Sequence, residues 1–140
     1  MLLESDILIA YLKREDWLKD IASRLLRSIE AGKLGRVQVS TEVFHELYYV
    51  FSGFVPITVI LANEAKLSTL KNLSFIRASV ETYLSAFNVM ETYDISSVFD
   101  AIYASTALSK DVPDHSIAST DTVYDRIRGI KRVDPEELSY

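Results

Sequence analysis

Residues 36–53 read "RVQVSTEVFHELYYVFSG". From Arg36 to Ser40 apolar and polar residues alternate, the period of a β-strand. Ser40 and Thr41 then offer a helix N-cap, and the apolar residues that follow recur at helical spacing until Gly53 stops them. A strand that runs straight into a helix, with no Asn-Gly or similar hairpin dipeptide, implies that the next strand returns parallel to the first.

The same unit recurs in both directions. Upstream, Leu2 to Ser5 reads as a short buried strand, and "ILIAYLKRED" opens a helix. "DWLKDIASRLLRSIEAGKLG" places Trp17, Leu18, Ile21, Leu25, Leu26 and Ile29 at helical spacing, with Gly32 as the stop. Downstream, Pro56 starts a helix running to about Asn72, "SFIRA" is a strand, and Ser79 caps a helix over "SVETYLSAFNVMETY". Ser96 or Ser97 caps the next helix, "SSVFDAIYASTALSKD". "HSIAST" is a strand, "DTVYDRIRG" a short helix and "IKRVD" a last strand. The expected fold is one α/β domain over residues 1–140: a three-layer α/β/α sandwich around a short parallel sheet of four to five strands.

A net charge of −5 and a pI near 5.0 give no overall attraction for nucleic acid, so a phosphate-bearing substrate needs a local basic patch or bound cations. Zero cysteines exclude disulfides and thiolate zinc sites and fit a reducing, cytoplasmic setting. The N-terminus lacks the basic, apolar pattern of a signal peptide. The uncharged run Leu47–Ala62 is broken by Gly53 and Pro56 into halves too short to span a bilayer, so it is expected to form two helices with an apolar face.

In such a sheet the functional crevice lies beyond the carboxyl ends of the strands. Glu4 and Asp6 end the first strand, and Asp121 follows "SIAST" directly. Asp100 and Glu46 lie in the first turns of helices expected to face that same edge. Each has an ordinary reading: Asp121 as the N-cap of its helix, Asp100 as part of a capping box with Ser97, Glu46 as a solvated or ion-paired face, and one of Glu4 and Asp6 as exposed where the strand ends. Together they are expected to repel one another unless a cation intervenes, and an oxygen-only donor set suits Mg²⁺ or Mn²⁺. Ser5 and Thr120 are the hydroxyls placed to hydrogen-bond these acids. His45 points about 100° away from Glu46 around its helix, and His115 opens a strand, so neither is assigned to the site. No G-x-S-x-G elbow, P-loop or G-x-G-x-x-G is present.

The order "ESDILIAYL", "STEVFHEL", "FDAIYASTAL", "IASTDTVYDRIRGIKRVDP" resembles the PIN domain, as in VapC-type toxins of toxin–antitoxin pairs. The resemblance covers nearly the whole chain. It implies a small α/β fold and a Mg²⁺- or Mn²⁺-dependent nuclease that cuts RNA, with Glu46, Asp100 and Asp121 at three acidic positions. The first block departs from the usual D-T/S-N/D: Glu4 stands where Asp normally ligates the metal, and Asp6 occupies the accompanying position. Either Asp6 takes over as ligand, or Glu4 reaches the ion in a shifted pose, or the enzyme is weak.

The expected site is therefore Glu4, Asp6, Glu46, Asp100 and Asp121, with Glu4, Asp6, Asp100 and Asp121 on the metal. Lys13, Arg14, Arg126, Arg128, Lys131 and Arg132 are candidates to steer an RNA backbone. The resemblance also implies a homodimer and an antitoxin partner on the apolar helical hairpin. The alternative is a catalytically weak or inactive scaffold acting through protein–protein association. A phosphoacceptor signalling domain also clusters acids at strand ends, but it expects a lysine beside them, and the nearest to Asp121 is Lys131, ten residues on.

Overall fold

The structure, a computed structural model, describes residues 1–138. Five strands form one sheet: β1 (Leu2–Leu3), β2 (Val37–Ser40), β3 (Leu73–Ile76), β4 (Ser116–Ala118) and β5 (Lys131–Val133). The α-helices are α1 (Ser5–Leu12), α2 (Lys19–Glu30), α3 (Val43–Phe51), α4 (Ile57–Ser68), α5 (Val80–Tyr93) and α6 (Val98–Leu108). Every strand pairing is parallel, in the order β3-β2-β1-β4-β5.

Side chains alternate faces along a strand, and β1 shows what that does here. Leu3 packs with Ile7, Leu25 and Leu47 in the layer built by α1 to α4, while Leu2 packs with Ala86, Ile102 and Tyr103 in the layer of α5 and α6. Both faces of the parallel sheet are thereby covered. The chain builds outward from β1 through β2 to β3, then crosses back to add β4 and β5 on the other side. Crossovers on either side of β1 and β4 diverge, which leaves a crevice above the carboxyl ends of those two strands.

Several boundaries differ from the sequence expectation for local reasons. β1 is only two residues long, because Glu4 is the N-cap of α1 and Ser5 is already helical. Trp17 precedes the first helical residue, Lys19, and stands 73% exposed rather than joining the apolar stripe of α2. α4 ends at Ser68 rather than near Asn72, as the Ser68 and Thr69 hydroxyls donate back to the carbonyls of Ala65 (2.7 Å) and Lys66 (3.0 Å). Asn72 then takes a left-handed φ of 61°, its side chain donates to the Glu30 carbonyl at 2.9 Å, and β3 begins at Leu73.

The caps of α5 and α6 follow the sequence, whereas α3 has Glu42 rather than Ser40 or Thr41 at its N-cap, with no side-chain cap bond. Ser79 forms a reciprocal capping box with Thr82, and Ser97 caps α6. Ser40 accepts from the Glu42 amide at 3.2 Å ahead of α3, while Thr41 instead accepts from Ala78 beyond β3. The run from 47 to 62 is divided between α3 and α4, and among the described residues no helix is long and apolar enough to cross a membrane.

Candidate active site

Parallel register brings the first two functional segments together. Leu3 pairs with Ala118, so the residues after them, Glu4 and Ser119, meet at the carboxyl edge. The Glu4 amide donates to the Ala118 carbonyl at 3.1 Å. Its carboxylate, 4% exposed, accepts the Ser5 hydroxyl on Oε1 (2.8 Å) and the Ser119 hydroxyl on Oε2 (3.0 Å). Asp6, half-buried in the first turn of α1, accepts from the Ile7 amide (2.7 Å) on one oxygen. Its other oxygen takes both the amide (2.8 Å) and the hydroxyl (2.6 Å) of Thr120. The expected partnerships of Ser5 and Thr120 are therefore present.

Asp121 follows at the end of the β4 loop. Its amide donates to the Ser119 hydroxyl at 2.9 Å, and its Oδ1 caps the 3₁₀ turn Thr122–Arg126 through the Val123 amide at 2.8 Å. Its capping role is real, and it leaves the second oxygen outside that turn. Asp100 lies in the first turn of α6, where its amide donates to Ser97 Oγ at 3.2 Å. Glu46 lies one turn into α3 and accepts the phenolic proton of Tyr103 on Oε2 at 2.5 Å.

Burial and mutual repulsion act on these groups in the same sense. Burial, then the charge of Asp6, holds the Glu4 carboxyl well above the usual carboxylate range; Glu46 adds to this and the Ser5 hydroxyl opposes it. Asp100 is pushed up to about 6, first by burial, then by the charge of Asp121, with Glu46 and Asp6 contributing in the same sense. Acids from α1, α3, α6 and the β4 loop thus act on one another, and the charges acting on Glu4 and Asp100 are those of other carboxylates rather than of cations.

The chemistry of this donor set, oxygen-only and mutually repelling, suits a hard divalent ion. As the side chains stand, among the described residues no group of three or more acids or histidines is arranged to hold an ion. Binding one would draw the carboxylates together from their present hydrogen bonds.

Three members of the basic runs have places or partners of their own. Lys131 opens β5 at the opposite, amino edge of the sheet, where it lines a recess with Arg36 and Gln38. Arg132 is committed to Asp125 (2.9 Å) and to the Ser119 carbonyl (3.1 Å), so it braces the loop that carries Asp121. Lys13 pairs with Asp16 at 3.4 Å.

Sequence reasoning did not single out Ser119, Tyr103 or Tyr124 around the acids. It also passed over Glu42, a buried carboxylate that accepts from Tyr83 and lies 3.1 Å from His45 Nδ1, on a groove beside α3 rather than in the crevice. Only Ser119 carried a readable signal, as the strand-end residue in register after Ala118.

Over residues 1–130 the sequence matches the PIN domain. The chain belongs to the PIN domain family. Its PIN fold is similar to that of Mycobacterium tuberculosis VapC20, described as a sarcin-ricin loop cleaving toxin: TM-score 0.69, 18% identity, 86% of this chain and 89% of that one covered. VapBC2 from Rickettsia felis, bound to a DNA fragment from their promoter, is similar at TM-score 0.69 and 16% identity, with 94% and 96% covered. FitAcB from Neisseria gonorrhoeae reaches TM-score 0.62 at 17% identity, with 98% and 99% covered. A search of curated proteins returns no match.

Proposed function

We propose that this PIN domain is a Mg²⁺- or Mn²⁺-dependent endoribonuclease that hydrolyses RNA phosphodiester bonds, and that it is the toxin of a VapBC-type pair in the cytoplasm. The observation that carries this reading is the set of acids brought to the β1/β4 edge, Glu4 by its register with Ser119 and Asp6 by its bonds to Thr120, where burial and neighbouring carboxylates push Glu4 and Asp100 up. Asp6, Asp100 and Asp121 would hold the cation, with Glu4 joining from behind and Glu46 at the crevice wall. When bound, the ion would supply Lewis acidity toward phosphate and activation of water. It would also turn an acidic crevice into one that attracts phosphate.

The chain's own residues supply orientation. Thr120 fixes Asp6 through two donors to one oxygen, Ser5 and Ser119 fix Glu4, and Tyr103 fixes Glu46. With Oε2 taken by Tyr103, Glu46 has its second oxygen left to accept a hydrogen bond from an attacking water. Such pinning matters because a displacement of about 1 Å can cost on the order of 100-fold in rate. The test is cleavage of mixed single-stranded RNA by the purified chain with Mn²⁺ or Mg²⁺, beside an Asp100→Asn variant. Cleavage is expected from the parent alone and should vanish on chelation; cleavage that survives in the variant would refute the assignment.

A second reading rests on the exposed apolar residues around α3 and α5. Tyr49 is 70% exposed on α3 and Phe54 85% in the turn after it, while Leu84 is 64% and Phe87 54% on α5. A groove of about 450 Å³ between Leu12, Arg14, Phe51, Phe54 and Val59 lies beside α1, α3 and α4. Apolar exposure on this scale favours association, here with an antitoxin in the groove and a second copy across α3 and α5. If the crevice binds no Mn²⁺ by calorimetry while the chain dimerises or takes up an antitoxin, it is an inactive scaffold.

A further inference from the structure

The chain turns from α2 into β2 through "AGKLGR", residues 31–36. Gly32 and Gly35 both take left-handed φ values, 73° and 66°, which a side chain disfavours. Between and after them, Leu34 packs against the core while Lys33 and Arg36 stay exposed. Two recesses adjoin at this loop. One, of about 370 Å³, is lined by Arg24, Arg27, Ser28 and Lys33. The other, of about 630 Å³, begins at Leu34 and takes in Arg36, Asp114 and Lys131.

Five cations from α2, the loop and β5 thus gather toward the amino edge of the sheet, in a chain whose net charge is −5. Among the described residues Asp114 is the one carboxylate that lines either recess, and it already accepts the hydroxyl (2.7 Å) and the amide (3.3 Å) of Ser116. Arg27, Lys33, Arg36 and Lys131 make no ion pair and no side-chain hydrogen bond among those residues, unlike Lys13 and Arg132, which carboxylates hold. The dipole at the carboxyl end of α2 accounts for Arg27. It does not account for Arg36, which leads into β2, or for Lys131, which opens β5. Cations gathered without counter-charges create a local field that attracts a polyanion, whatever the sign of the whole molecule.

The acids lie at the opposite edge. From Arg36 to Ser40 alone, β2 puts about 13 Å between the two, at about 3.3 Å per residue. Phosphate is repelled at one edge and drawn to the other, so the amino edge suits backbone that is not being cut. We propose that Arg27, Lys33, Arg36 and Lys131 form a docking surface for the phosphodiester backbone of RNA, holding a part of the strand remote from the scissile bond. The choice of RNA rests on the ribonuclease reading above; the surface itself requires no metal.

The experiment titrates fluorescent oligouridylate onto the whole chain in EDTA at several salt concentrations. The slope of log affinity against log salt is expected near about −3, since each phosphate neutralised on a single strand contributes about −0.7. Arg27→Gln, Lys33→Gln, Arg36→Gln and Lys131→Gln should each bring the slope about 0.7 nearer zero. Melting temperatures should hold, because all four side chains are exposed. Lys66→Gln, which removes an ammonium already 4.8 Å from the centre of the Tyr11 ring, should leave the slope as it was. A slope unmoved in the fourfold variant overturns the proposal, and so does an equal response to Lys66→Gln, which would reduce the effect to net charge. Poly-glutamate that competes as strongly as oligouridylate of equal charge overturns RNA as the occupant and assigns the surface to an acidic protein. The two readings fail separately. An edge that binds RNA beside a crevice that never cuts it supports the surface and removes the nuclease; cleavage and binding indifferent to all four substitutions do the reverse.

Discussion

The crevice at the carboxyl edge and the apolar face of α3 and α5 handle awkward chemistry in opposite ways. At the crevice, repelling carboxylates are kept together, and Glu4, Asp6, Glu46 and Asp121 each have at least one oxygen pinned by a donor. On the apolar face, Tyr49, Phe54, Leu84 and Phe87 stand more than half exposed. The first region is strained by charge and fixed in geometry; the second is unstrained within the monomer and unsatisfied only with respect to a neighbour. Neutralising a carboxylate in the crevice should therefore alter chemistry while sparing or raising stability. Substitutions on the face should alter association alone.

Asp100→Asn tests the contrast most severely. Cleavage and Mn²⁺ binding should fall by about 100-fold or more, since the variant removes a ligand whose misplacement alone is expected to matter that much. The metal-free variant should nevertheless be more stable than the parent near neutral pH. Asp100 titrates at about 6 in the fold, against an ordinary value of 3.8. A carboxyl raised in this way contributes stability that is fully present below the lower value and is lost as pH rises through the upper one. Melting temperatures at several pH values read this directly, and an Asn variant that is less stable at neutral pH would break the claim of stored repulsion.

The same linkage predicts the second effect. Without metal, the parent should lose stability as pH rises from about 4 to about 6, the window set by Asp100, and the raised Glu4 extends the decline in the same direction. Saturating Mn²⁺ should reverse it, because a ligand that binds only the folded form stabilises by mass action. A melting temperature insensitive to Mn²⁺ at neutral pH would remove the crevice from the metal-binding class and leave association as the molecule's remaining activity.

How far the two regions could be read from sequence follows from the same distinction. The acids at the strand ends were legible because β-alternation, the Ser79 and Ser97 caps and the strand-to-helix order fix which residues arrive at the carboxyl edge. Thr120 and Ser5 were legible as their neighbours. Tyr103 and Tyr124 were not, because at helical spacing a tyrosine reads as core, and both are core; where each hydroxyl ends depends on how α3, α6 and the 3₁₀ turn pack. Lys131 and Arg132 illustrate the reverse error. Adjacent in sequence as a basic run, they have different duties, one at the amino edge and one bracing Ser119. The break of the 47–62 run into two helices was readable from Gly53 and Pro56, yet Trp17 shows that spacing alone does not bury a residue that precedes its helix.

Thr120→Val should have a moderate effect. It deletes the 2.6 Å hydroxyl bond to Asp6 and keeps the 2.8 Å amide bond to the same oxygen. Stability should drop by about 1 kcal/mol, the usual worth of one such bond. Mn²⁺ affinity should fall about tenfold, as for other groups that orient a metal-binding carboxylate. A variant with unchanged affinity would mean that the amide alone positions Asp6, and that the crevice is less finely pinned than its hydrogen bonds imply.

Phe54→Ser should have the smallest effect on the monomer. The ring is 85% exposed, so little apolar area returns to water, and the expected stability change lies within about 0.5 kcal/mol. Phe54 lies in the turn between α3 and α4 and is not one of the site carboxylates or their hydrogen-bond partners, so cleavage per folded chain should change by less than about twofold. What should change is size in solution or uptake of an antitoxin peptide, measured by sedimentation or titration, because an anchor aromatic at the rim of the groove contributes to an interface out of proportion to its number. If Phe54→Ser instead lowers cleavage while leaving association intact, the division between the two regions is wrong, and the apolar face belongs to the path by which RNA reaches the acids.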